Sequence, residues 1–179
     1  KYIGDAYAPW PLLSIGYNRG LLRCLDLEAG LDLTHTLYGV PKIDAGVNWR
    51  PFKAERWRPA LIVTPKLHFA TDFSTAARLY PALSLTGAWH AGRFYPYLGI
   101  ENFFELQQER ADGLEQENHW LIAPYAGLSI AHKKWQFQVE MRAYTPNLRN
   151  DYSRGPDNWG FGDYGIIGFF IGIGRTFGG

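Results

Sequence analysis

The chain has 179 residues and a mass of 20.4 kDa, with 46% hydrophobic, 16% aromatic and 20% charged residues. Eighteen Lys and Arg against seventeen Asp and Glu leave a net charge of +1, so no electrostatic footprint for a nucleic-acid partner exists. One cysteine, Cys24, excludes an internal disulfide framework, and no Cys/His cluster has zinc spacing.

A membrane-spanning helix needs about 18 consecutive apolar residues. The best run, Gly165 to Gly174, has ten, four of them Gly, so a helical membrane protein is excluded. Seven Trp, eleven Tyr, eleven Phe and twenty Gly suit strands and turns better than helices. The chain begins at Lys1 and shows no signal peptide, as expected of either a processed chain or a fragment, and this start permits export. Residues 1–179 read as one domain, with residues 1–11 as an N-terminal extension.

In chain order, the first element is a candidate additional strand at residues 12–18. From Cys24 to Leu37, Leu25, Leu27, Ala29, Leu31 and Leu33 alternate with Asp26, Glu28, Gly30, Asp32 and Thr34. A helix would smear these two sets around its circumference, whereas a strand separates them. Ile43, Ala45, Val47 and Trp49 oppose Lys42, Asp44, Gly46 and Asn48. Trp57, Leu61, Val63, Leu67 and Phe69 oppose Arg58, Thr64, Lys66 and His68. Leu79, Leu83, Leu85 and Trp89 oppose Arg78, Tyr80, Ser84 and His90. Phe94, Leu98, Ile100 and Phe104 oppose Tyr95, Tyr97, Gly99 and Glu101. Trp120, Ile122, Ala126, Leu128 and Ile130 oppose His119, Tyr125, Gly127 and Ser129. Trp135, Phe137, Val139 and Met141 oppose Gln136, Gln138, Glu140 and Arg142. Ile167, Phe169, Ile171, Ile173 and Phe177 oppose Gly168, Phe170, Gly172 and Gly174.

The pattern predicts an all-β chain of about eight strands, or ten if residues 12–18 are a membrane strand with an antiparallel partner before it. Short turns near Arg50–Arg56, His90–Arg93 and Ala131–Lys134 alternate with long loops at Thr71–Ala77, Gln107–Asn118 and Pro146–Gly160. That asymmetry describes an antiparallel up-and-down meander. Pro59, Pro65, Pro81, Pro96 and Pro124 fall inside these strands on the apolar parity. Each removes a ladder donor, so Pro65, Pro81 and Pro124 require bulges or strand ends.

Aromatic placement bears on what the apolar face meets. At the short-turn end it carries Trp49, Trp57, Trp89, Phe94, Trp135 and Phe177, and Trp120 leads a sparser set at the other end. Trp prefers the interface of a bilayer, with its ring buried and its N–H wet, and a soluble sandwich gives aromatics no reason to gather at turn ends. The spacing from Trp120 to Ile130 projects to roughly 24 Å on a tilted strand, close to the apolar band of a transmembrane barrel.

The amphipathic strands, the loop asymmetry and the segments Arg93-Phe-Tyr-Pro-Tyr-Leu-Gly-Ile, Gly172-Ile-Gly-Arg-Thr-Phe177 and Ser14-Ile-Gly-Tyr-Asn-Arg-Gly-Leu carry a resemblance. From about Leu12 to Phe177 the chain resembles the small bacterial outer-membrane β-barrel proteins of eight to ten strands. The resemblance implies an outer-membrane location, a lipid bilayer as first partner, and a closing strand ending in an aromatic. Gly178 and Gly179 follow Phe177 and depart from that ending.

Inside such a barrel, Asp26, Glu28, Asp32, Glu101 and Glu140 are expected to pair with Lys42, Arg58, Lys66 and Arg142, because the interior admits side chains only. The function expected is structural, anchoring or interacting, with another envelope protein or a surface glycan met by the long loops, and with no cofactor or metal.

A lipid-modifying enzyme at the long-loop rim is the alternative, built on His68, His119, Arg149, Asp151, Tyr152 and Trp159. Ser74 and Ser153 have no spacing that ties them to a histidine, no Gly-x-Ser-x-Gly element appears, and the strand Gln136–Tyr144 lacks the His-Ser pair of lipid A-deacylating barrels. A soluble lipocalin-like barrel binding an apolar ligand is the second alternative.

Overall fold

Alternation at period two becomes a barrel wall. The computed structural model describes residues 11–37, 41–55, 57–71, 77–108, 115, 119–149 and 164–175. Nine strands run in chain order: β1 (Pro11–Leu22), β2 (Leu25–Asp32), β3 (Lys42–Phe52), β4 (Ala60–Ala70), β5 (Arg78–Ala88), β6 (Phe94–Phe104), β7 (Trp120–His132), β8 (Trp135–Arg149) and β9 (Tyr164–Arg175). Each pairs antiparallel with the next, and β1 closes on β9 to complete the barrel.

Among the described residues the count is nine, neither eight nor ten. The segment around residues 12–18 is a full wall strand, and the demand for a tenth strand assumed that the closing pair must be antiparallel. In an odd-numbered meander the first and last strands run the same way, and here Pro11–Leu13 pair in parallel with Phe169–Ile171. The strand expected from Cys24 to Leu37 is also shorter. It ends at Asp32 and passes into a five-residue helix, α1 (Leu33–Leu37). There Thr36 Oγ1 donates to Asp32 O at 2.6 Å, and Thr34 Oγ1 accepts from Leu13 N at 2.8 Å. The side-chain oxygens of the two threonines thus divert the backbone from the ladder and tie this turn to the top of β1. Trp57 and Arg58, expected inside a strand, lie before β4 begins at Ala60.

The prolines are explained by the one-sidedness of antiparallel pairing. Each residue in such a ladder aims its N–H and C=O at one neighbour only. Pro65 keeps its register with Leu83 on β5, while the β3–β4 ladder skips it between Lys66 and Val63. Thr64 and Asn48 bridge that gap with a side-chain hydrogen bond of 2.7 Å. Pro81 pairs with Leu67, and the β5–β6 ladder ends one residue away at Ala82. Pro124 pairs with Ile100, and the β7–β8 ladder ends at Tyr125. Pro96 pairs with Leu128, and on its other side it only accepts, from Trp89 N at 2.9 Å. Every proline therefore coincides with the end of, or a gap in, one of its two ladders.

Besides a shift in the β1–β2 register between Gly20 and Leu22, two further irregularities bend the wall. The β3–β4 register shifts between Trp49 and Phe52, around Pro51, and the β8–β9 register shifts between Tyr144 and Arg149. At the second shift Thr145 and Gly165 both have positive φ, and a Cβ on Gly165 would come within 2.7 Å of Tyr144 O. Such bulges admit extra residues on one strand and sharpen its twist.

Inside, two tyrosines lie across glycines that share their register: Tyr97 over Gly127 and Tyr125 over Gly99. A Cβ on Gly127 would also meet Val139 O at 2.7 Å, whereas one on Gly16 would meet nothing closer than Ala29 O at 3.7 Å. Gly127→Ala is therefore expected to destabilise the refolded barrel by about 1–3 kcal/mol through overpacking. Gly16→Ala should leave the midpoint of a denaturant titration close to that of the unmodified chain.

Candidate functional site

The lumen centres on Glu101 of β6, which is 0% exposed. Its partners come from strands two places away on either side. Arg142 Nη1 of β8 donates to Oε2, while on Oε1 converge Lys66 Nζ of β4 at 3.8 Å and His68 Nε2 of β4 at 3.3 Å. The alternation that put these side chains on one face also makes them face each other once the sheet closes. A buried carboxylate is costly to desolvate unless several donors hold it, and three groups of positive or hydrogen-bonding character do so here.

The network spreads from this point. Lys66 Nζ pairs with Glu28 Oε1 at 2.8 Å, and Asn48 Nδ2 donates to Glu28 Oε2 at 2.7 Å. On the other side Arg142 pairs with Glu140 at 2.9 Å, and Glu140 Oε2 accepts from the Tyr97 hydroxyl at 2.9 Å. Gln138 Nε2 donates to the Tyr97 oxygen at 2.6 Å. The Arg142 guanidinium also stacks over the Tyr125 ring at 4.6 Å and reaches Phe170 at 5.6 Å. Such cation–π contacts strengthen where water is excluded. Near the short-turn end Asp26 is ion-paired with Arg50.

Of the residues expected in the interior, Asp26, Glu28, Lys66, Glu101, Glu140 and Arg142 join these contacts, and half-buried Asp32 lies at the top of β2. Arg58 does not. It sits outside the barrel in the β3–β4 connection, 57% exposed, pairing with Glu55 at 3.4 Å. The strand it was assigned to begins two residues later, after Pro59, so parity counted back from β4 does not apply. Arg50, read as a turn residue, turns inward and pairs with Asp26 instead, because β3 runs on to Phe52. The roles of Tyr97 and Tyr125 also escaped the sequence reading. Their inward parity was visible, and the glycine facing each across the ladder was the unused signal.

The two histidines are separately engaged. His68 is 6% exposed, packs on the Phe103 ring at 5.2 Å, and leaves Nδ1 without a hydrogen-bond partner among the described residues. His119 lies above the wall, where its Nδ1–H donates to Glu105 O at 2.9 Å. Glu105, buried at the rim, takes an ion pair with Arg78 at 3.5 Å and a hydrogen bond from Gln107 N at 3.1 Å. Neither histidine is hydrogen-bonded to a hydroxyl nucleophile among the described residues. Arg149 is exposed at the top of β8, and Asp151, Tyr152 and Trp159 lie outside the described residues. No group of three or more His, Cys, Asp or Glu suited to a metal ion occurs among the described residues.

On the outer face, Trp49, Trp135 and Phe94 are exposed at the short-turn end, and Trp120 and Phe104, in register with one another, are exposed at the opposite end. Trp57 is 91% exposed in the β3–β4 connection, where its carbonyl accepts from Trp89 Nε1 at 3.1 Å. Phe177 lies outside the described residues. Compared with known proteins, the chain matches no family model, no curated protein and no solved structure.

Arg142→Met removes the donor that Glu101 and Glu140 share. It is expected to cost about 3–5 kcal/mol, the usual penalty for leaving a buried charge without its partner. Arg58→Met breaks only an exposed pair and should cost about 0–1 kcal/mol. Unfolding midpoints of the two variants, measured side by side, check the assignment of inside and outside.

Proposed function

We propose that this chain is a transmembrane β-barrel of a bacterial outer membrane, with a side-chain-filled, non-conducting lumen and an anchoring or interaction role in the envelope. The observation that carries this reading is an inversion of polarity. Outward positions are apolar and exposed, including Leu27, Leu67, Leu98, Phe137, Val139 and Ile171, while inward positions hold Glu28, Lys66, Glu101, Glu140 and Arg142. A barrel in water has the opposite need. An apolar belt of this extent in water would drive association, and a lumen packed with ion pairs does not suit an apolar ligand.

Dimensions support the same reading. The outward set of β6 runs from Phe94 to Phe104, ten steps or about 33 Å of strand, and a tilt of about 40–45° projects this to roughly 24 Å. Exposed aromatics at both ends of the outer wall suit the two interfaces of a bilayer. Asn102, an outward amide two residues from the Phe104 end of β6, is satisfied locally: it accepts from Trp120 Nε1 at 3.2 Å and donates to Leu83 O at 3.3 Å. In hydrocarbon, where no water completes a polar group, such local pairing is required.

The short turns are assigned to the periplasm and the long loops to the outside, following the denser aromatic set at the short-turn end. A cysteine at Glu115 should label on intact cells and one at Lys133 should not, in a Cys24→Ser background.

Refolding into thin bilayers followed by denaturant titration tests the membrane reading. Val139→Arg, mid-height on the outer wall, should cost roughly 2–4 kcal/mol, and Trp135→Arg at the interface should carry a charge term of only about 0–1 kcal/mol. Cooperative folding of the unmodified chain in detergent-free buffer would falsify the membrane reading. Single-channel steps in a planar bilayer would overturn the filled lumen alone.

A further inference from the structure

The barrel is closed unevenly. Every antiparallel neighbour pair shares seven or more register positions, but β1 and β9 share three, Pro11–Leu13 with Phe169–Ile171. Below them both strands continue toward the short-turn end, β1 through Ser14–Leu22 and β9 through Gly172–Arg175, without further pairing to each other among the described residues. Every residue from Leu13 to Cys24 is exposed, including the inward-parity Ser14, Gly16, Asn18 and Gly20. The lumen behind this seam is walled by Gly16, Gly172 and Gly174, whose added Cβ atoms would approach nothing closer than 3.5 Å. Positions without a side chain and unpaired backbone therefore coincide along one line of the wall.

Direction identifies what fits there. β1 and β9 both descend from the long-loop end, so one strand ascending between them would pair antiparallel with both, the more stable arrangement per residue. A second copy of this barrel in the same membrane orientation cannot supply it, because its own edge strands also descend. Charge adds a further requirement. Arg19 shares the outward parity of Tyr17 and Leu21, both exposed on the lipid side, and has no ion pair among the described residues. An ascending strand with a carboxylate at the level of Arg19 would neutralise it.

We infer that the β1–β9 seam is a docking edge for an ascending amphipathic strand of a partner polypeptide, alternating apolar and small or polar residues, with an acidic residue facing Arg19. The inference rests on the membrane reading above and names the partner that an anchoring or interaction barrel would hold. In a bilayer the partner strand completes the hydrogen bonding that the short parallel contact leaves open.

The test uses the refolded chain in bilayers, in a Cys24→Ser background with Ile15→Cys and Ile173→Cys, two exposed outward residues just below the paired segment that its register would align, so that oxidation draws the open part of the seam shut. The probe is a fluorescent peptide of about ten residues alternating Val and Ser, the length of a membrane strand, with one Glu in place of the Val facing Arg19. The reduced barrel should capture the peptide, and capture should be lost in the oxidised barrel. Arg19→Glu should transfer the preference to a peptide bearing Lys at that position.

Equal capture by locked and reduced barrels overturns the inference, as does a peptide preference that Arg19→Glu leaves unchanged. Insertion is read first, from protection against protease. A chain that folds only in lipid-free buffer overturns the membrane reading instead, and the comparison of locked with reduced barrel on that form still decides the seam.

Discussion

A carboxylate with no access to water has to be held by the protein itself, and Glu101 is that carboxylate here. Its partners Lys66, His68 and Arg142 come from β4 and β8, each separated from β6 by one intervening strand. The contacts therefore cross the lumen rather than run along one ladder. Removing any of these groups would strand a charge in a low-dielectric interior, where an unpaired ion costs several kcal/mol. The network thus favours the barrel that brings all of them together over any alternative pairing of the same strands. It also leaves most large apolar side chains the outer face, apart from a small inward cluster of Ala82, Phe103 and Ala123.

The same constraint governs where the small residues stand. Gly99 and Gly127 make room for Tyr125 and Tyr97, and these rings in turn contact Arg142 or Glu140. On the seam side, Gly16, Gly172 and Gly174 have no such ring above them. Large side chains thus lie across the glycines of β6 and β7, whereas the glycines of the seam face only small contacts. Pairing between β1 and β9 stops after three residues, so the seam is where the fold offers an interaction rather than completing one of its own.

The histidines show why residue type and parity alone are weak guides to chemistry. His68 faces inward near the long-loop end, as a base for a rim enzyme would, yet its Nε2 binds Glu101 and its ring packs on Phe103. His119 is held by the Glu105 carbonyl. Both are accounted for by structural contacts. General base catalysis would require a nucleophile in hydrogen-bond reach, which the described residues do not place beside either ring. The Glu105–Arg78 pair closes the rim above His68 in the manner of the layers below, with a carboxylate and a guanidinium sharing a buried position.

Much of the wall was legible in the sequence because a strand has a local period. Two-residue alternation around Leu27, Val47, Leu67, Leu98 and Val139 determined which face of each strand is apolar, and it placed Glu28, Lys66, Glu101, Glu140 and Arg142 on the other. Turn positions followed from where that alternation stopped. What the period does not encode is anything that depends on the far side of a closed sheet. The ninth strand and its parallel seam arise from ring closure. The exchange of Arg58 for Arg50 arises from where β3 and β4 end around Pro51 and Pro59. The tolerance of Pro65, Pro81 and Pro124 depends on which of two ladders each strand keeps. Glu101 meets Arg142 only because two strands distant in the chain curve to face each other, a relation set by the closure of the barrel and not by the residues beside either one.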